Sequence, residues 1–183
     1  MPKQKSSVLK MKKIFLFVFP AILIALAIII GVNYSSAQKP IAVVLENDPR
    51  NSGIEMSAHY GGYIDPDTMV IDLKNVSGDK SPLDVFRVLL QFSNKIKDKK
   101  FDWVLLQSKG KTKFKIKGDY FQQLGQEYGR QNPVYTTRTF PENLYTKDGY
   151  KAFSVWTGGL LGVLKRQMED FQEFNRKWFI EDM

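Results

Sequence analysis

A run of nineteen uncharged, mostly apolar residues, 14–32, constrains this chain most. At a rise of about 1.5 Å per residue, a helix over this run is roughly 28 Å long, close to the hydrocarbon core of a bilayer at about 30 Å. The run lacks the polar face that a helix of a soluble protein turns to water. It is preceded by lysines with no acidic residue among them, namely Lys3, Lys5, Lys10, Lys12 and Lys13. The sequence therefore predicts a membrane-crossing helix with a basic segment, 1–13, on the cytoplasmic side.

Two fates are open for this helix. Ser35 and Ala37 are small residues three and one positions before Gln38, the spacing of a signal-peptide cleavage site. The apolar run, however, exceeds the roughly 7 to 15 residues of a secretory leader, which favours a retained anchor. We expect a single-pass protein of the cell membrane whose C-terminal part is extracytoplasmic. The alternative is a secreted or periplasmic protein cleaved after Ala37.

Charge and cysteine content exclude several functional classes. The formal net charge is +8, but the five leader lysines belong to the topology signal, which leaves 22 basic residues against 19 acidic ones. A nearly balanced domain gives little support to nucleic-acid binding. The chain has no cysteine, so disulfides, thiolate catalysis and cysteine metal sites are excluded. With no nucleotide or metal motif in the sequence, we expect no cofactor.

Beyond the apolar run, the sequence predicts a linker, 33–60, and one folded domain, 61–183. The five-residue apolar run 41–45 in the linker is compatible with a short strand. Inside the domain, Ser81, Pro82 and Asp84 form a capped helix start, and apolar residues then recur at helical spacing to about residue 96.

The remaining patterns complete an α+β domain. Strands are predicted over 68–76, 101–107 and 112–117, a short helix over 119–128, an edge strand over 133–140, and a long amphipathic helix over 157–179. This is a βαββαβ order, which builds a small antiparallel sheet with helices on one face, as in the ferredoxin-like arrangement. The C-terminal amphipathic helix is an addition to it. The architecture hosts many unrelated functions and transfers none of them.

Lysines occupy every second position of the predicted strand 112–117 and the turn before it. In a strand, alternate residues project from one face, so Lys111, Lys113 and Lys115, with Lys109 and Lys117, predict a row of positive charge. Such a row can meet anionic lipid or an anionic envelope polymer. It can equally protect an edge strand or solvate an outer face.

The stretch 133–156 is the second candidate for binding. It is long for a connection in a compact domain and carries aromatic residues around Arg138. Tyrosine and arginine dominate interface hot spots, so we expect Tyr135, Arg138 and Tyr145 to contact a partner. The alternative is that these aromatic side chains pin the stretch to the core.

The case for catalysis depends on His59, the only histidine. Histidine is the usual general base near neutral pH, and Ser57 and Asp65 lie near it in sequence. Proximity in sequence does not make a triad, and no nucleophile elbow accompanies it. Asp65 and Asp67 lack the rest of a calcium loop and predict a turn, so no metal site is expected.

These observations favour binding over chemistry. We expect a membrane-anchored, extracytoplasmic binding or assembly module of the cell envelope, whose partner is another envelope protein. The alternatives are an envelope hydrolase using His59 and a module that binds anionic lipid or polymer through the lysine row 109–117.

Overall fold

The N-terminal helix does not end where the apolar run ends. The computed structural model describes the backbone of residues 3–182 and the side chains of 18–182 except Leu160. Helix α1 (Lys3–Asn33) continues through a π-helical segment (Tyr34–Gln38) into α2 (Lys39–Asn47). Pro40 lies inside this continuous helix and has no N–H to donate to the Ser36 carbonyl one turn earlier, which accepts from the Lys99 ammonium instead. Among the described residues, one helix is long and apolar enough to cross a membrane, and it is this one.

The strand predicted over 41–45 is wrong, because these residues belong to α2. A five-residue apolar run cannot distinguish a strand from a buried helix by periodicity alone. The helix is favoured because it brings Ala37, Ile41 and Val44, which are four and three residues apart, onto one face that is buried in the core. The chain from residue 33 onward is thus packed against the rest of the protein.

Within the described residues, five strands form one sheet in sequential order. Neighbouring strands are antiparallel except for β2 and β3, which are parallel and joined by a helical crossover. The predicted α+β class, with an N-terminal apolar helix, a mostly antiparallel sheet and a C-terminal helix, is confirmed. The strands are β1 (Ile54–Gly61), β2 (Asp65–Val76), β3 (Trp103–Ser108), β4 (Lys111–Lys117) and β5 (Leu144–Thr146).

The crossover helix α3 (Pro82–Lys95) starts as its sequence predicts. The Ser81 hydroxyl accepts from the Asp84 N–H and the Asp84 carboxylate accepts from the Ser81 N–H, which completes a capping box. Because α3 connects strands that are direct neighbours, the connectivity differs from the split ferredoxin-like arrangement, in which another strand lies between them.

In the described part of the chain, three α-helices follow β4: α4 (Gly118–Glu127), α5 (Pro133–Thr139) and α6 (Leu160–Trp178). The edge strand predicted over 133–140 is wrong, because α5 occupies it. The Asn132 side chain accepts from the Val134 N–H and Pro133 takes the first helical position, and together these start signals override the β-branched residues that follow. The edge strand is β5, a few residues later.

The core lies between one face of the sheet and the helices. Alternate residues of the central strands, such as Ile71, Leu106 and Phe114, are buried in it. The helices contribute aromatic rings, and Phe174 packs within 5.5 Å, centroid to centroid, of Phe114, Phe140 and Trp178. This layer covers one face of the sheet and determines which face stays open.

Gly125 allows α4 to pack closely on α3. A Cβ atom there would lie 2.3 Å from the backbone carbonyl oxygen of Ser93 in α3, so the helices would have to separate. On helix propensity alone, alanine would stabilise α4 by about 1 kcal/mol. We expect the steric cost to exceed this gain, because overpacking a tight contact costs about 1–3 kcal/mol.

We therefore predict that Gly125→Ala lowers the free energy of unfolding by up to about 2 kcal/mol, measured by thermal unfolding of the full-length chain in detergent with circular dichroism. The matched control is Gly162→Ala in α6, where nothing lies within 4 Å of the added Cβ. That variant should be neutral or more stable by up to about 1 kcal/mol. A stabilised Gly125→Ala protein would contradict the close helix contact.

Candidate binding surface

The sheet face that the helices leave open carries one row of residues across all five strands. We call this the outer face. Side chains of paired residues on neighbouring strands lie on the same side of a sheet. The row consists of His59, Val70, Leu105, Lys115 and Tyr145. Val70, near the centre of the sheet, is buried, and the other four side chains are half-buried. The structure thus makes Lys115 and Tyr145, predicted separately from distant stretches of sequence, direct neighbours.

A cluster of aromatic rings and lysines lies at one end of this face. Lys117 is paired with Trp103, and its ammonium lies 3.8 Å from the centroid of the indole ring. Lys115 lies 5.7 Å from the same centroid. The Tyr145 ring meets Trp103 edge-on at 5.4 Å, and Lys151 lies 4.5 Å from the centre of Tyr145. Each cation–ring contact is worth about 0.5–1 kcal/mol at an exposed site, so the cluster orders its lysines without neutralising them.

The predicted lysine row does not lie on one face. A bulge between the pairings of Leu106 and Gln107 shifts the register of β4. Lys111 is therefore paired with Ser108, which is buried on the core side, while Lys115 and Lys117 stay on the outer face. Strict alternation could not reveal this shift, because a bulge depends on the partner strand.

Lys113 and Lys109 bind the C-terminal end of the chain. The Lys113 ammonium is 2.8 Å from the Asp182 carboxylate, and Lys109 donates to the Asp182 carbonyl. The hydrogen bond from Lys113 is the main reason that the pKa of Asp182 lies below its ordinary value. These two lysines therefore secure the end of the fold.

Tyr135 and Arg138 lie together on α5. The guanidinium is 5.3 Å from the centre of the tyrosine ring, and the ring is exposed. Helix α5 packs against α6 in the helical layer, so these two residues are separated from Tyr145, which lies on the sheet. The sequence grouped three residues that the fold divides between two surfaces.

A groove of about 530 Å³ between α3, α4 and α5 is a surface that sequence reasoning missed. Its volume is in the range of ligand pockets, and its lining is largely apolar. The lining comes from four separate stretches of sequence, which no local pattern connects. It includes Arg50, Phe86, Arg87, Leu90, Leu124 and Tyr128.

The two arginines of this groove are already paired. Arg50 donates to the Asp48 carboxylate at 2.7 Å, which, with a hydrogen bond from Gln91, holds the pKa of Asp48 well below its ordinary value. Arg87 donates to Asp84 at 2.7 Å. The groove therefore presents apolar surface beside arginines that are already paired with carboxylates, an arrangement that does not favour anion binding.

Asp84 has a pKa of about 2, lowered from 3.8 first by the Ser81 hydroxyl and then by the Ser81 N–H. Arg87 contributes in the same direction. The charged carboxylate is thus the form that starts α3 and fixes Arg87.

His59 lies on the outer face, and its contacts there hold the β1–β2 hairpin together. Its ring stacks on Tyr63 at 4.3 Å, and its Nδ1 is 2.7 Å from the Tyr60 carbonyl. Because a carbonyl only accepts, Nδ1 carries the hydrogen in this bond. Among the described side chains, no carboxylate contacts the imidazole and no three histidine or acidic side chains converge as metal ligands. The hydrolase alternative therefore gains no geometric support from this arrangement.

Comparison of the chain with protein-family models, with curated proteins and with solved structures finds no match.

We predict that Asp84→Asn destabilises the protein at neutral pH and that this loss disappears in acid. A carboxyl whose pKa is lowered on folding stabilises the fold above its unfolded pKa, and that contribution is lost as the pH falls from about 4 through 2. Thermal unfolding of wild type and variant at pH 7, 4 and 2 measures the difference. Asp148→Asn, in an exposed loop, is the control and should differ little from wild type at each pH. A loss that is equal at pH 7 and pH 2 would contradict the assignment.

Proposed function

We propose that this chain is a single-span membrane protein whose α+β domain stands on the extracytoplasmic side and binds an anionic macromolecule of the envelope without catalysis. The observation that carries the proposal is the open outer face, where Trp103 and Tyr145 lie among Lys115, Lys117 and Lys151. We propose another envelope protein with an acidic surface as the partner.

The anchor is supported by how the helix continues. The leader lysines favour the cytoplasmic side, and the apolar run has the length of a bilayer core. The cleavage site proposed from the sequence lies inside the π-helical segment, and Ala37 is buried in the core. Cleavage before Gln38 would remove both Ala37 and Asn33 from their packing, so retention fits the fold better than release.

The domain is joined rigidly to this helix. The Asn33 side chain accepts from the Tyr60 N–H at 2.9 Å, and the Gln38 side chain accepts from the Ala58 N–H at 3.1 Å. The Lys99 ammonium donates to the Ser36 carbonyl at 2.7 Å. A flexible tether would only confine the domain near the membrane, whereas this joint also fixes its orientation.

The same contacts indicate the direction of the sheet. From Asn33 to Gln38 the helix advances by at most about 7.5 Å, the value for an α-helix, and from Tyr60 back to Ala58 the strand covers about 6.6 Å. Strand β1 therefore runs antiparallel to the helix and alongside it. If the helix crosses the membrane, the strands of the sheet run roughly along the membrane normal. The outer face is then directed sideways, parallel to the membrane plane.

An outer face in this direction favours a neighbouring protein over the lipid surface as its ligand. Trp103 pairs with Thr68 near the β1–β2 turn, so in the proposed orientation the cluster lies at the end of the sheet nearest the headgroups. Its lysines and rings face sideways there, toward a neighbouring protein. Tryptophan and tyrosine supply contact area with a polar end, and the lysines select an acidic partner. The alternative of a lipid-binding lysine row is weakened further because Lys109 and Lys113 are bound to Asp182.

The anchor predicts a full-length protein in the membrane. After a carbonate wash of the native membrane fraction, intact mass measurement should find the uncleaved chain in the washed membrane. A species beginning at Gln38 in the soluble fraction would contradict the anchor.

The outer face predicts where a partner is captured. A benzoyl-phenylalanine crosslinker in place of Tyr145, in the full-length chain in native membranes, should give an adduct that weakens several-fold from 50 to 300 mM salt. The same crosslinker in place of Tyr135, on the helical side, should not give this adduct.

Charge variants identify which lysines hold the partner. Lys115→Gln with Lys117→Gln should reduce the position-145 adduct several-fold. Lys95→Gln with Lys165→Gln removes the same charge from exposed helix positions and should leave the adduct unchanged. An adduct reduced equally by both pairs would assign the effect to net charge and not to the outer face.

A further inference from the structure

The β1–β2 hairpin ends in a tight turn with an unusual residue at its tip. Gly62 and Tyr63 both have positive φ, 52° and 67°, and the Ile64 N–H donates to the Gly61 carbonyl at 3.1 Å. This is a type I′ turn, whose second central position is normally glycine. A bulky side chain is disfavoured in the left-handed region, so Tyr63 is a costly choice here.

Asn33 places this turn beside the end of the apolar run. The side-chain NH₂ group of Asn33 donates to the Ile29 carbonyl, at 2.9 Å, and to the Tyr63 carbonyl, at 2.7 Å. The backbone of the tip is therefore one side chain away from the last helical turn of the run 14–32. If that run crosses the bilayer, the tip lies at the level of the membrane surface.

The side chains at this level are apolar or aromatic, and exposed. Tyr63 is 55% exposed, Ile64 is 73% exposed, and Tyr34, in the helix turn that follows Asn33, is 59% exposed. Tyrosine is enriched where hydrocarbon meets headgroups, because its ring is apolar and its hydroxyl stays hydrated. An exposed isoleucine at a hairpin tip gains free energy when lipid covers it.

We infer that the hairpin tip, residues 62–64, inserts into the interfacial layer of the membrane that α1 crosses, and that its ligands are the phospholipids of that bilayer. The inference rests on the proposed membrane span. Asp65 and Asp67 follow the tip directly and are exposed, so their charges limit the insertion to the headgroup level. Helix α1 holds the domain at one point, and the tip adds a second point of contact that restricts tilting of the domain relative to the membrane.

The absence of cysteine from the chain allows a direct test. Ile64→Cys, Ile24→Cys and Gly78→Cys each create one labelling site in the full-length protein. Ile24 lies in the apolar run, and Gly78 lies at the far end of the hairpin with nothing within 4 Å of an added Cβ. Each site receives a nitroxide, and the protein is reconstituted in phosphatidylcholine and phosphatidylglycerol vesicles.

Collision of the nitroxide with oxygen, relative to a water-soluble nickel chelate, reports the depth of each site. We expect Ile24 to be deep, Ile64 to be at headgroup depth and Gly78 to be in water. If Ile24 is deep and Ile64 resembles Gly78, the tip does not enter the interface and the inference is overturned while the span stands. If Ile24 itself is in water, the span fails and the inference fails with it.

Discussion

The joint between the long helix and the sheet is the constraint on which the other features depend. Ala37 is buried in the domain core, although it lies only five residues beyond the apolar run. Asn33 satisfies three backbone groups at this joint, two of them in the β1–β2 hairpin. A buried polar side chain that makes three hydrogen bonds fixes one geometry, because a displacement leaves a backbone group without its partner. The helix and the domain therefore move as one body.

The helices of the domain lie on one side of the sheet, and this asymmetry creates the outer face. An antiparallel sheet tolerates one solvated face when that face is polar, and lysines on β4 meet the requirement. The same face also carries Trp103, Leu105 and Tyr145, which are largely apolar. Apolar area that stays in water does not stabilise the fold. Lysine stems and ammonium groups over the rings cover part of that area. The remaining exposure is the physical basis for proposing a partner there.

Elements that a short stretch of sequence determines by itself were predicted correctly. The Ser81–Asp84 capping box predicted α3, and the apolar run 14–32 with the lysines before it predicted the apolar part of α1. The strand β1 was missed, although Ile54, Met56 and Ala58 alternate toward the core. Long-range features were not predictable in this way. The bulge that separates Lys111 from Lys115, and the groove built from four stretches of sequence, are set by partner strands and helices that a local pattern does not contain.

Weak contacts are sufficient for a surface that is held in place. Each exposed ion pair or cation–ring contact contributes about 1 kcal/mol or less, too little for a freely diffusing domain to capture a partner. If the proposed span holds, confinement beside the membrane raises the effective concentration of the domain and its proposed partner, and a fixed orientation removes part of the rotational entropy lost on binding. In this proposal the fixed orientation comes from Asn33 and Ala37, whose contacts hold the sheet against the helix before a partner binds. If the domain were joined to the helix by a flexible tether, the cluster of aromatic rings and lysines on the outer face would make the same contacts but bind with lower affinity.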